Sequence, residues 1–213
     1  MKYYKNIFEK IINPNNLFTA WDEFKIGKLR KTDVLEFVAG LEENIFKLYR
    51  DLKYHSYKHG VYRSFYITDP KLREINKAMV RDRVLHHAVF QILYPMFEPT
   101  FISNSFSCRD EKGNHKGVDY LEKIIREVSR NYTRDCFVMK CDIRKFFGSV
   151  DHRILLEIIQ RKVKDEDFNW LIKEIIGSFG SKTDYQPQLQ LFDFRVENPE
   201  RERKKEQPSA AWG

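Results

Sequence analysis

Apolar residues recur at helical spacing along much of the chain. Leu41, Ile45, Leu48, Tyr49 and Leu52 form one stripe and predict a long helix over 33–54. Asp33 followed three residues later by Glu36 supplies its start signal. The first 30 residues mix aromatics with charges, as in Phe18-Thr19-Ala20-Trp21-Asp22, and predict short helical or irregular pieces. Val61–Ile67 is rich in β-formers, Thr68-Asp69-Pro70-Lys71 is a turn signal, and Leu72–Ile75 returns as a partner strand, so a β-hairpin is expected over 61–76. Val84, Leu85, Ala88, Val89, Ile92 and Leu93 predict a strong helix over 80–95, with Pro95 as its stop. Helix is expected again over 117–130, on Val118, Leu121, Ile125 and Val128. The best strand candidate is 137–143, where the alternation sends Asp142 to the face opposite Met139 and Cys141. Asp151 caps a helix carrying Ile154, Leu155, Ile158 and Ile159, and a last helix carries Phe168, Leu171, Ile172 and Ile175. The reading is an α/β (α+β), helix-rich chain without internal repeats.

From Lys182 no amphipathic period is sustained. The tail 182–213 balances six cations against six anions and is expected to be disordered or loosely docked. The formal net charge of +7, from 38 Lys+Arg against 31 Asp+Glu, therefore belongs to the first 181 residues. Such a balance permits a polyanionic partner without requiring one, since it also serves solubility. With 17 Phe and 11 Tyr in 213 residues there is ample apolar surface for a core, which argues against disorder over the whole length. No stretch approaches the length of a membrane span, and Met1–Asn6 has no apolar leader core. Three cysteines, Cys108, Cys136 and Cys141, make no paired framework and fit a reduced, cytoplasmic setting. A zinc site built from them is disfavoured, because Cys136 and Cys141 bracket a strand on which neighbouring side chains diverge.

Asp142 is the centre of the chemical reading. A carboxylate at a strand terminus offers a hard oxygen to a hard cation such as Mg²⁺, while a lone Asp in that place more often hydrogen-bonds the following turn. The surrounding string decides between them. Cys141-Asp142-Ile143-Arg144-Lys145-Phe146-Phe147-Gly148-Ser149-Val150-Asp151-His152 resembles the first catalytic motif of reverse transcriptases, most closely those of bacterial group II introns and diversity-generating retroelements. Upstream segments agree in order. Asp69-Pro70-Lys71-Leu72-Arg73-Glu74-Ile75 is similar to the fingers motif, and Arg81-Asp82-Arg83-Val84 to the Asp-Arg-Val helix. Phe97-Glu98-Pro99-Thr100-Phe101 and Ser105-Phe106-Ser107-Cys108-Arg109 resemble the next block. The resemblance covers about residues 60–180.

The resemblance implies a division into an N-terminal helical region (1–60), fingers (61–130), a partial right-hand palm (131–181) and a tail outside the family (182–213). It implies Mg²⁺ held by the Asp142 carboxylate and the Ile143 carbonyl, and Phe147 as a steric gate against a ribose 2′-OH. Lys71 and Arg73 would hold the triphosphate of an incoming deoxynucleotide, and Arg83 and Arg109 would touch nucleic acid. Positive charge on the fingers suits a triphosphate, and a forked guanidinium grips two phosphate oxygens. The same residues have plainer readings. Lys71 and Arg73 can be solvated hairpin cations, Asp82 and Arg83 a surface ion pair of little weight, and Arg109 a loop brace. One of Phe146 and Phe147 can be a core residue. His86 and His87, set among aliphatics, read as packing groups rather than acid–base catalysts, and His152 as a residue that orients its turn.

The chain also departs from the family pattern. Two-metal phosphoryl transfer needs several carboxylates around ions about 3.5–4 Å apart, and in the family a later Tyr/Phe-x-Asp-Asp hairpin supplies the missing pair. After Asp142 no two Asp residues are adjacent here. The reading is thus the N-terminal part of an RNA-directed DNA polymerase of a retroelement, inactive alone, with RNA template and primer, deoxynucleoside triphosphates and a complementary C-terminal half as implied partners. Two other readings stay open: a non-catalytic RNA-binding module, and an inert remnant of a mobile element.

Overall fold

The computed structural model describes residues 3–68, 70, 72–143, 146–180 and 192–195. Phe8–Ile12 (α1) and Pro14–Lys25 (α2) are separated by a single residue, Asn13. Its side chain accepts from the Asn15 backbone N–H at 2.9 Å, and Pro14 fills the first helical position, where its missing N–H costs nothing. The helix expected over 33–54 is two helices, Thr32–Ala39 (α3) and Leu41–Lys53 (α4), broken at Gly40. Glycine in a helix interior costs roughly 1 kcal/mol against alanine, which favours the break there. Asp33 caps nothing. The residue before α3 is Lys31, with no side-chain cap, and the Asp33 carboxylate reaches Lys77 and Arg83 instead.

The hairpin forms where the turn signal placed it. Arg63–Thr68 (β1) pairs antiparallel with Leu72–Lys77 (β2), with Phe65 opposite Ile75 and Ile67 opposite Arg73. Val80–Phe97 (α5) continues two residues past Pro95 and then tightens into a 3₁₀ turn, Glu98–Thr100. Pro95 removes one backbone bond of the last turn, too late to end the helix before the chain leaves it. His152–Lys162 (α8) and Glu166–Gly177 (α9) complete this part of the molecule. As the sequence indicated, the Asp151 side chain caps α8, accepting from Arg153 and Ile154 backbone N–H groups at 2.8 and 3.1 Å.

Among the described residues, those of 3–100 and 150–180 make one compact unit, and those of 101–149 with 192–195 make a second. The first unit holds the core. Leu17, Trp21 and Phe24 of α2 pack with Val84, Leu85 and Ala88 of α5, and Ile45, Leu48 and Leu52 of α4 join them. Phe168, Leu171 and Ile172 extend the core along α9. A parallel bridge between Tyr4 and Val163 ties the start of the chain to the α8–α9 connection, with Tyr4 N–H donating to the Lys162 carbonyl at 2.9 Å.

The second unit contains Asn114–Val128 (α6), Phe137–Lys140 (β3), Phe146–Ser149 (α7) and Phe192–Arg195 (β4). Helix α6 begins three residues earlier than its apolar stripe suggests. Gly113 precedes it at φ +96°, a conformation that side chains resist. β3 is shorter than expected and ends at Lys140, where its antiparallel pairing with β4 stops. β4 lies in the stretch where the sequence shows no regular period; residues 182–191 and 196–213 lie outside the described residues. The architecture is mixed helix and small sheet, with two antiparallel two-stranded sheets among the described residues.

Candidate functional site

Asp142 sits two residues beyond β3 rather than on its last rung, with its side chain exposed. It lines a shallow open depression with Cys141, Ile143 and Phe146. Phe146 and Phe147 meet edge to face, ring centroids 5.3 Å apart, at the start of α7. Neither is a core residue: Phe146 is 51% and Phe147 83% exposed. The segment after β3 and the short helix behind it thus expose Asp142, Ile143 and two aromatic rings within six residues. Oxygen donors suit Mg²⁺ in kind. They do not suffice in number: among the described residues no group of three or more His, Cys, Asp or Glu is placed to hold a metal ion. One carboxylate does not fit a two-ion clamp.

Arg73 projects from β2 and is exposed. Lys71 lies outside the described residues. Arg73 belongs to the first compact unit and Asp142 to the second. Arg83 points inward. Its guanidinium bonds Asp33 at 2.5 Å and lies 4.9 Å from the centroid of the Phe24 ring, while its buried Nε has no partner. Burial raises the Asp33 carboxyl, but Lys77 and Arg83 together outweigh it and hold the group below its ordinary value. Arg109 donates to the Ile102 and Ser105 carbonyls at 2.8 and 3.0 Å and lies over Phe101, which is the bracing geometry of a loop residue.

The reading of Asp82 and Arg83 as a surface pair is overturned. Asp82 is fully buried, and its partners are Tyr57, Gly60 and Arg81. The Tyr57 hydroxyl donates to Oδ1 at 2.8 Å, the Gly60 N–H donates to Oδ2 at 3.0 Å, and Arg81 Nε donates to Oδ1 at 3.2 Å. Burial first, and the Asp82 charge second, push the Tyr57 phenol far above its ordinary value. A β-carbon at Gly60 would stand 2.8 Å from Asp82 Oδ2 and 2.6 Å from Met79 Sδ, so only glycine lets the backbone approach this carboxylate. His86 faces His59, with the two Nε2 atoms 3.3 Å apart, and His87 meets the Phe24 ring edge-on. Sequence reasoning missed this cluster, although a charged residue inside the apolar stripe of α5 was a visible signal for Asp82.

Comparison with known proteins gives distant relatives. Group II intron-encoded protein LtrA of Lactococcus lactis subsp. cremoris is 24% identical over 179 residues, 81% of this chain and 29% of that protein. Protein YkfC of Escherichia coli (strain K12) is 27% identical over 106 residues, 50% of this chain and 27% of its own length. The mitochondrial nuclear intron maturase 1 of Arabidopsis thaliana is 28% identical over 103 residues, 48% of this chain and 14% of its length. The chain spans less than a third of each of these relatives. No protein-family model matches it.

Proposed function

We propose that the chain is the fingers and first palm segment of an RNA-directed DNA polymerase of a mobile intron or related retroelement. The observation that carries this reading is the conjunction of Asp142, Ile143 and Phe147, all exposed behind β3, with similarity over 81% of the chain to a group II intron-encoded protein. In this reading residues 61–130 act as fingers and 131–181 as partial palm. The Asp142 carboxylate and the Ile143 carbonyl would supply two of the oxygen ligands of a Mg²⁺ site that is incomplete without carboxylates from elsewhere. An ion held there together with further carboxylates would neutralise charge on a transferring phosphoryl group. The Phe147 ring, free of the core, senses an added 2′-hydroxyl by volume. Lys71 and Arg73 attract the triphosphate, and Arg83 and Arg109 act on nucleic acid only indirectly, by fixing α5 and the 102–113 loop. The three unpaired cysteines suit a reducing, cytoplasmic setting. No helix of the described residues is long and apolar enough to cross a membrane.

Polymerisation in this reading needs carboxylates from a complementary C-terminal half. The purified chain is expected to give no primer extension on an RNA template with Mg²⁺ and deoxynucleotides. Adding a polypeptide that carries the missing Asp pair is expected to restore extension, and Asp142→Ala to abolish it again. Extension by the chain alone, or restoration that survives Asp142→Ala, would refute the assignment.

A second reading, a non-catalytic RNA-binding module, is favoured by the +7 charge carried entirely by residues 1–181. If the chain neutralises Z phosphates of a single strand, log affinity falls against log salt with a slope of about −0.7Z. Titration of the full chain and of residues 1–181 with single-stranded RNA at two salt concentrations separates this module from an inert remnant, which would show no salt-dependent binding.

A further inference from the structure

The hairpin β1–β2 stands out from the first unit with most of its side chains in solvent, so its position depends on how its root is fastened. The root is the segment 57–62, and the fastening is partly buried. Gly60 N–H donates to Asp82, Tyr62 O–H meets the Ser178 hydroxyl at 3.1 Å, and the Tyr62 ring packs edge-on against Phe179. Between these lies His59, whose side chain is closed off from solvent. It stacks between Tyr62, at a centroid distance of 4.9 Å, and His86, at 5.3 Å.

The hydrogen pattern of this pair follows from its neighbours. His59 Nδ1 lies 2.7 Å from the Gly60 carbonyl oxygen. A carbonyl oxygen only accepts, so Nδ1 carries the hydrogen and His59 Nε2 is left with a lone pair. His86 Nε2, 3.3 Å away, must then be the donor. A single added proton can be shared between the two Nε2 atoms, with His86 then carrying its other hydrogen on Nδ1, but protons on both rings would oppose two N–H groups in a dry site. Asp82 does not relieve that conflict. His59 Nδ1 is 3.9 Å from Asp82 Oδ2, yet the carboxylate already receives Tyr57, Gly60 and Arg81, and its charge is matched by Arg81. From α9, Glu174 faces the same segment but is occupied by Lys58 and the His59 backbone N–H. On α5 the further neighbours of His86 are His87 and Arg83, which oppose a positive charge on it.

We propose that the His59–His86 pair is an acid-released latch on the root of the β1–β2 hairpin: closed while at least one ring is neutral, and opened when both rings are protonated.

Burial first, then the His59 charge, lowers His86 from its ordinary 6.5 to about 4, with Asp82 acting in the opposite sense. The opened segment therefore takes up the proton before the closed one. The closed form is fully favoured above pH 6.5 and loses ground as pH falls toward 4. Between pH 7.5 and pH 5 the opening equilibrium should rise roughly twenty- to thirtyfold for a shift of that size.

The test is hydrogen–deuterium exchange of the full chain at both pH values, corrected for intrinsic exchange. β1 and β2 should lose protection by about that factor, while α2 and α4 hold theirs. His86→Asn keeps a neutral donor toward His59 and should bring the pH ratio of the hairpin to below about threefold. A hairpin indifferent to pH, or a ratio unchanged in His86→Asn, overturns the latch. If that variant fails to fold, the ring-proton titration of His86 in the wild-type chain decides alone. A midpoint below about 5 supports the proposal, and one near the ordinary value of about 6.5 overturns it. Neither readout involves RNA, nucleotide or metal, so the latch and the polymerase reading stand or fall separately.

Discussion

The hydroxyl of Tyr57 donates a 2.8 Å hydrogen bond to the carboxylate of Asp82, and both residues are fully buried 25 positions apart in sequence. This contact joins the segment after α4 to the first turn of α5. Tyr57→Phe removes one donor and leaves a buried charge with one partner fewer, at a cost of about 1–3 kcal/mol. Asp82→Ala is harsher, because the Gly60 N–H and the Tyr57 hydroxyl lose their acceptor and Arg81 keeps only the Lys58 carbonyl and the more distant Asp51. About 3–5 kcal/mol is expected. Urea denaturation of both variants, with Asp82 the more costly, checks the order.

The same bond sets an alkaline limit. The Tyr57 phenol is raised above its ordinary value in the folded chain, so its contribution is complete below about pH 10, where the unfolded phenol starts to ionise. Above that pH the unfolded state sheds the proton and the folded state does not, and stability falls as pH rises. Spectrophotometric titration should show one tyrosine that ionises only with unfolding, and Tyr57→Phe should remove it.

Asp165 joins the two ends of the first unit. Its Oδ1 accepts from Phe168 N–H at 3.0 Å and caps α9, while Oδ2 accepts from Ile7 and Phe8 N–H at 2.7 and 3.0 Å and closes the start of α1. Asp165→Ala strands three buried donors and should cost roughly 3 kcal/mol, more than the ~1 kcal/mol of an ordinary cap. Asp165→Ser can still cap α9 but cannot span both helices, so its denaturation midpoint should fall between the two.

Asp33 has a milder effect with an acid signature. Its carboxyl is held below the ordinary value of 3.8, so its contribution is present above that pH and is lost as pH falls through the lower folded value. All three partners of this cluster keep some solvent, which screens the gain. Asp33→Asn should cost no more than about 1 kcal/mol at pH 7, and the difference from wild type should shrink in an acid series as pH falls below 3.8 and through the lower folded value.

Asp142→Ala and Phe147→Ala should leave the denaturation midpoint within about 0.5 kcal/mol of wild type, because both side chains are exposed and neither packs in the core. A large loss of stability in either would show a structural role and remove the reason for reading them as a site. Any loss of function in complementation then reports on chemistry alone.

Local order was legible in the sequence where a single element decides it. The hairpin followed from β-formers around Thr68-Asp69-Pro70-Lys71, the cap of α8 from Asp151, and the apolar faces of α4, α5 and α9 from their 3.6-residue period. These signals are local, because backbone hydrogen bonding and capping reach only a few residues. Gly40 and Pro95 misled in opposite directions, since helix propensity is a weak prior that packing and end effects override. Only the tertiary structure decided the partners of the charged residues. Arg83 and Lys77 share Asp33, 50 and 44 positions away, and Asp82 takes Tyr57 and Gly60 rather than its neighbour Arg83. A buried charge must be satisfied by whatever donors the fold brings within 3 Å, and the spacing of residues along a chain does not determine that distance.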